Sequence, residues 1–509
     1  MTKDLVIGID SSTTATKAIA WTGDGALVAE GRALIDLHNP APLHYEQDAG
    51  DWWRALCSAM RDLGQKIDLT RTAAVAIGNQ RETWAPVDAD GEPLRPGMVW
   101  MDERGRPDVD LLEQAIGRES LLEITGKIPG PLPCLYSIHW MKREEPDLYA
   151  RAARFLDVHG FLVHRLTGDF RTSWSSADPT ALLDLESKRY APAILDALEL
   201  GEENFAEPCR PGSVLGEVHA AAADATGLPV GTPVVAGGGD GQAAGLGTGV
   251  LGPGRAYLNL GTASVSGVYG ETYATDLAFR TMTSLTGEGY IFELCLITGT
   301  FLTNWLVEQL FEEDPRTNPD IYEKLEREAA RLPVGADGLM LMPYWGGVMT
   351  PYWDADARGI LIGLSSEHGR GHVYRAMMEG IALDEAMGLQ GIEAVTGERV
   401  EELLTIGGGS KSDLWCRIVA NATGKPVKRL ATAEATSLGA GIAAAIGANW
   451  FGDFAAAAES MAGNVEDTIE PEPAVAERYA ELLGIYKRLY PQTRSILNDL
   501  TAFKEAGRK

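Results

Sequence analysis

Residues 5–21 read LVIGIDSSTTATKAIAW, and residues 256–269 read AYLNLGTASVSGVY. Each is an apolar run, a short polar turn and a second apolar run, the signature of strand, turn and strand. The two stretches lie about half the chain apart, which predicts two halves built on related plans. Working outward, the pattern alternates. A helix is expected over 51–65 with Asp51 as its N-cap, and a strand over 73–78. Pro146 should split 140–155 into two helical pieces. Residues 233–249 read as strand, Gly-rich turn and small-residue helix. After 295 the pattern is mostly helical, with a strand at 403–406, a turn at 407–413, a helix capped by Ser412 or Asp413, and a helical tail over 473–504. Strands alternating with helices indicate an α/β architecture. Gly and Pro concentrate in LGTGVLGPGRA (246–256), placing a hinge near 250 between units 1–250 and 251–509.

Composition narrows the function. The 509 residues carry 44 Lys plus Arg against 72 Asp plus Glu, a net charge of −28. That length exceeds one ordinary core. The acidic balance argues against nucleic acid or an anionic membrane surface as a partner, yet leaves room for a small anion held by local donors. The five cysteines, Cys57, Cys134, Cys209, Cys295 and Cys416, are dispersed and form no CxxC pair. They fit a reducing cytoplasm and argue against a zinc site. The start, MTKDLVIGID, has no signal-peptide pattern, and no run reaches the ~20 apolar residues that span a bilayer. GIAAAIGA (441–448) reads as a short buried helix.

Five turns can carry chemistry. In GIDSSTTATK (8–17) a strand ends at Asp10, and turn amides and hydroxyls of Ser11–Thr14 can cradle phosphate, with Lys17 to neutralise charge. An Asp at such a strand end suits Mg²⁺, which takes few carboxylates and keeps several waters. The plainer reading is a polar hairpin turn, and the GxxxxGK[ST] spacing of a Walker loop is absent. NLGTAS (259–264) offers Gly261 and Thr262, where backbone amides can approach phosphate closely. LTIGGGSKSDLW (404–415) sets Gly407, Gly408, Gly409 and Ser410 between a strand and a helix, an arrangement that can take a flat adenine or simply make a tight turn. GGGDGQ (237–242) presents Asp240, a candidate general base beside a hydroxyl, or else an Asx turn. GNQRETW (78–84) gathers the mixed donors and acceptors that a polyhydroxy ligand wants, or forms a solvated loop.

Taken together, the chain resembles the FGGY carbohydrate kinase family. The strongest match is ARGILIGLSSEHGRGHVYRAMMEGIAL (357–383), through Gly359, Leu361, Gly363, Leu364, His372, Val373, Ala376, Met377, Met378 and Glu379. LPCLYSIHWMKREEP (132–146) fits at Ile138 and Trp140 but has Ser137 where the family usually has Lys, and Ser12 stands where Gly usually follows the first Asp. The resemblance covers nearly the whole chain. It implies an actin-like (ribonuclease H-like) ATPase fold of two duplicated α/β domains with ATP and sugar in the cleft between them. It implies Asp240 as the base and Asp10 on Mg²⁺. Thr13, Thr14, Gly261 and Thr262 would surround the ATP phosphates, and Gly407–Ser410 would lie near adenosine. Lys17 aligns with a basic residue of glycerol kinases. Family members are often dimers, so a homodimer is an expectation.

The substrate signals divide. HYEQDAGDWW (44–53) and VVAGGGDG resemble pentulose kinases. GNQRET and PYWDADARG (351–359) resemble glycerol kinase. Where xylulokinases carry Met-His-Gly after Gln80, this chain has Arg81, Glu82 and Thr83, and the resemblance implies contacts from Arg81 and Glu82 to vicinal hydroxyls. Trp100 offers an apolar wall, with Asp102 and Gln242 as further polar contacts. A kinase for a small ketose or polyol is expected, a pentulose such as xylulose ahead of glycerol or an erythritol-like polyol. The rival class is an actin-like ATPase with a protein partner, for which the NQRE constellation has no use.

Overall fold

The computed structural model describes residues 3–506. Two mixed sheets organise it. The first runs, in order, Val214–Glu217, Pro233–Gly239, Thr72–Asn79, Leu5–Ser11, Ala15–Trp21 and Leu27–Leu34. The second runs Val465–Ile469, Val427–Leu430, Glu402–Ile406, Arg255–Leu260, Ser264–Gly270, Tyr290–Leu296 and Arg280–Thr283. In each sheet an antiparallel edge strand is followed by three parallel strands and then by antiparallel neighbours. The two quoted hairpins are the matching central pairs. The second sheet adds one further strand, Arg280–Thr283.

Local chemistry explains most boundaries. The first helix is Ala49–Gly64, capped by Asp48, whose side chain accepts from the Gly50 amide at 2.8 Å. Asp51, expected as the cap, instead sits in the first turn and pairs with Arg54. Pro146 does separate Cys134–Glu144 from Pro146–Arg151, and the chain then enters a strand, Arg154–Asp157. The expected Gly-rich turn after 233 is absent: the strand continues through Gly239 and the helix Asp240–Gly247 starts at the next residue. Ser412, not Asp413, caps Asp413–Thr423 through the Trp415 amide at 3.1 Å.

The GIAAAIGA stretch belongs to the helix Ala435–Gly447, which follows a strand of the second sheet yet packs on the first. Leu438 and Ile442 are buried with Val6, Ile19 and Trp21. Each such aliphatic side chain contributes about 1.5–3 kcal/mol by leaving water. Close approach to the Asp240–Gly247 helix requires glycine. A Cβ on Gly439 would lie 1.9 Å from the Ala243 carbonyl oxygen, and one on Gly247 would lie 2.0 Å from that of Ala435. We therefore expect Gly439→Ala to lower stability by about 1–3 kcal/mol. Gly484→Ala, in the helical tail with open space around it, should be neutral or stabilising. Thermal melts of both variants check this, and an unchanged midpoint for Gly439→Ala would contradict the crossing geometry.

Candidate active site

Parallel pairing sets the site. Ser11 and Gly239 both register with Asn79, so the turns after Leu5–Ser11, Thr72–Asn79 and Pro233–Gly239 emerge at one edge of the first sheet. Asn259 registers with Ile406, so the turns at 261 and 407 emerge together from the second. These edges meet. Lys17, opposite Asp10 on the neighbouring strand, holds both oxygens of Glu434 at 2.7 Å. Glu434 immediately precedes the Ala435–Gly447 helix of the later half.

Asp10 has a buried Oδ1 with no hydrogen-bond partner. Burial, and then the charge of Asp240, push its carboxyl up to about 7 against the pull of Lys17, with Glu434 adding to the rise. A partnerless buried carboxylate oxygen fits a cation. A single such oxygen suits an ion that takes one or two carboxylates and keeps its waters.

Ser12 closes the first turn by itself, its amide and hydroxyl both donating to the Ala15 carbonyl at 2.9 Å. It lies outside the positive-φ set, so the glycine usual there is not required. Thr14 is exposed and Thr13 half-buried, and Thr13 Oγ1 accepts from the Trp100 indole at 3.1 Å. In the later half, the Gly299 and Thr300 amides brace the second turn by donating to the Thr262 and Gly261 carbonyls at 2.8 and 2.7 Å, and Thr262 is exposed. Gly407 needs its left-handed φ of 88°, and a Cβ there would meet Asn259 Oδ1 at 2.5 Å. Gly408 is exposed with open space beside it, whereas Gly409 is buried. The Ser410 hydroxyl is used within the turn, on the Gly407 carbonyl at 2.7 Å.

A chain of alternating charges runs from Asp240 into the later half of the chain. Asp240 begins its helix, and Oδ1 accepts the Gly241 amide at 2.7 Å and faces Arg81 Nε at 2.8 Å. With its side chain 42% exposed, Oδ2 lies outside these bonds. Arg81 Nη1 reaches Glu293 at 2.7 Å; Glu293 also holds Arg280, and Arg280 Nη1 reaches Glu82 at 2.7 Å. Despite its burial, Glu293 is held down to about 2 by the two guanidinium groups. Glu82 sits at φ 50°, a sparsely populated conformation for a long side chain.

Three of the residues expected at the site have partners within the chain. Asp102 is 3% exposed and gives both oxygens to Arg104, with the Tyr45 amide on one. Gln242 is buried and donates to the Ser175 carbonyl at 3.0 Å, with its Oε1 left unpartnered. Lys17 already has its counter-charge in Glu434. Gln80 is also buried, its amide on Gln47 Oε1 at 2.8 Å, and it supports the loop. Ser137 is a packing residue whose Oγ accepts from the Trp84 indole at 2.7 Å. The sequence reading missed Arg280, Glu293 and Glu434. A lone acid inside the apolar strand YIFELCL (290–296) was the available signal for Glu293.

The models for the FGGY family of carbohydrate kinases match this chain with their N-terminal domain over residues 5–247 and their C-terminal domain over 256–448. The xylulose kinase of Staphylococcus epidermidis is 27% identical over 505 residues, 98% of this chain and 99% of that one. The autoinducer-2 kinase of Klebsiella pneumoniae is 28% identical, covering 95% and 93%. The crystal structure of xylulose kinase from Rhodospirillum rubrum superposes with a TM-score of 0.90 at 27% identity, over 97% of this chain and all of that one. Among the described residues no helix is long and apolar enough to cross a membrane.

Beneath the 261–264 turn, Glu385 is buried with Oε1 unpartnered. Burial, helped by Asp384, pushes its carboxyl up to about 7. A raised carboxyl binds more protons folded than unfolded, so stability falls as pH climbs from the ordinary Glu value of about 4.3 towards 7. Glu385→Gln should therefore gain in melting temperature over the parent at pH 8 and show little gain at pH 4. An equal difference at both pH values would contradict the assignment.

Proposed function

We propose, for a chain that belongs to the FGGY family of carbohydrate kinases, that Asp240 deprotonates one hydroxyl of a small neutral ketose or polyol as ATP's γ-phosphoryl group moves onto it. A pentulose such as xylulose is the first candidate. The enzyme is a sugar kinase and ATP is its phosphoryl donor. The observation carrying the assignment of the base is the split environment of Asp240: Oδ1 is fixed by the Gly241 amide and Arg81, while Oδ2 is left for a ligand proton. A base positioned before reaction contributes about 10²–10⁴ in rate.

Phosphoryl transfer passes through a loose transition state, so positioning and charge neutralisation carry most of the catalysis. In this reading Thr13, Thr14, Gly261 and Thr262 present amides and hydroxyls to the phosphates, and Gly407–Ser410 form the adenosine edge. Lys17 keeps Glu434 and Asp10 in register and makes no phosphate contact of its own. Mg²⁺ would be held at Asp10, where it supplies charge neutralisation on the phosphate oxygens. Trp100 walls the sugar and ties that wall to the phosphate turn. Units 1–250 and 251–509 would close about 246–256, excluding water from the transfer. Five free thiols among the described residues suit a reducing cytoplasm, and a homodimer is the oligomeric state we expect.

The Arg81–Glu82 pair favours a second reading, a polyol such as glycerol or erythritol as acceptor. A coupled ADP-release assay over pentuloses, hexuloses, glycerol, erythritol and pentitols tests both. Turnover with a pentulose above the others is expected. Steady basal ATPase with no dependence on any of them would overturn the reading and favour an actin-like ATPase that serves a protein partner. Asp240→Asn should retain ATP binding by calorimetry and lose about 10²–10⁴ in turnover, whereas near-parental turnover would remove Asp240 from the role of base.

A further inference from the structure

The geometry points to Arg280 and Glu293 as positioning residues of the sugar site that also set its charge preference, making it a site for neutral polyhydroxy ligands and against polyhydroxy acids. Both come from the later half of the chain, on adjacent strands where Arg280 registers directly with Glu293. Their charged partners Arg81 and Glu82 come from the earlier half. Glu293 Oε2 takes Arg81 Nη1 at 2.7 Å and the Tyr257 hydroxyl at 3.4 Å. Oε1 takes Arg280 Nε and Nη2, both at 2.6 Å. Arg280 Nη1 then holds Glu82 Oε1 at 2.7 Å.

The backbone is built around this chain. A Cβ on Gly241 would lie 2.8 Å from Glu293 Oε2 and 3.1 Å from Arg81 Nη1, and one on Gly239 would lie 2.6 Å from Arg81 Cδ. The glycines flanking Asp240 thus make room for the ion pairs. These pairs leave one nitrogen of Arg81, Nη2, and one oxygen of Glu82, Oε2, outside them as a donor and an acceptor of fixed direction. Guanidinium forks that serve carboxylates on both sides cannot rotate without breaking a buried charge pair, which is expensive.

The chain holds two guanidinium cations and three carboxylates, Asp240, Glu82 and Glu293, for a net charge of −1. The neighbouring ammonium of Lys127 is neutralised by Asp178. Among the described residues, both guanidinium groups of this chain are already paired with carboxylates, and a carboxylate on the ligand is repelled by the net charge.

The inference rests on the kinase reading above. If the parent enzyme shows no sugar-dependent ADP release, that reading fails before any variant is compared. Given turnover, the measurements are KM for the accepted neutral sugar, KM for ATP and the inhibition constant of gluconate against the sugar. Glu293→Gln, which makes the net charge zero, should raise the sugar KM about tenfold or more and improve gluconate binding relative to sugar by a similar factor. Arg280→Lys keeps the charge and loses the fork, so the sugar KM should rise while the gluconate-to-sugar ratio stays within about twofold of the parent. The double variant Arg280→Gln/Glu293→Gln keeps the net charge and should behave as Arg280→Lys does. ATP KM should be unchanged in all three. Should Glu293→Gln not fold, the other two variants still decide through the KM split. An unchanged sugar KM, a parallel rise in ATP KM, or a ratio in Glu293→Gln equal to the parent's would overturn the proposal.

Discussion

One buried guanidinium links the parts of this cleft. Arg81 stands at the end of a central strand, touches Asp240 through Nε and reaches across to Glu293 through Nη1. Separating the buried Arg81–Glu293 pair would leave uncompensated charges in a low-dielectric interior at a cost of several kcal/mol. The two halves of the chain are thereby tied to each other at this point. Asp240 keeps one oxygen fixed and the other free because Arg81 occupies a set position, and Arg81 is set because Glu293 and Arg280 hold it.

The helix crossing supplies the second constraint. Gly8, Gly247 and Gly439 let the Asp240–Gly247 and Ala435–Gly447 helices approach each other and the first sheet at backbone distance. Asp240 opens the first of these helices, and Glu434 immediately precedes the second. The proposed base and the counter-charge of Lys17 therefore sit at the same crossing. A shift of one helix along the other would displace both. In the proposed mechanism this is how packing far from the reacting atoms fixes the geometry of phosphoryl transfer.

Much of this was legible in the sequence, and the failures have physical causes. The paired hairpins at 5–21 and 256–269 are the centres of two sheets with matching strand patterns, and the FGGY membership and α/β class follow from motifs that survive in the chain. Thr13, Thr14, Gly261 and Thr262 lie in turns at strand ends, as turn composition implied. Asp48 displaced Asp51 as cap because capping depends on where the backbone leaves extended geometry, which composition does not give. Asp102, Gln242 and Lys17 have partners inside the chain that the sequence did not reveal, because residue type shows hydrogen-bonding capacity and not the partner that uses it. Arg104, Ser175 and Glu434 are those partners, and two of the three lie more than sixty residues away in sequence. Arg280 and Glu293 belong to no motif and could be found only once the strands were paired.

The substrate reading and the charge chain share one central claim, that the Arg81 fork aligns both the base and the sugar. The most direct measurement is steady-state kinetics of Arg81→Lys with the best acceptor from the panel. Lysine keeps the charge but cannot serve Asp240 and Glu293 at once. The account predicts a fall in kcat/KM for the sugar on the order of 10²-fold, with the KM for ATP unchanged. A kcat/KM within about twofold of the parent's would contradict it.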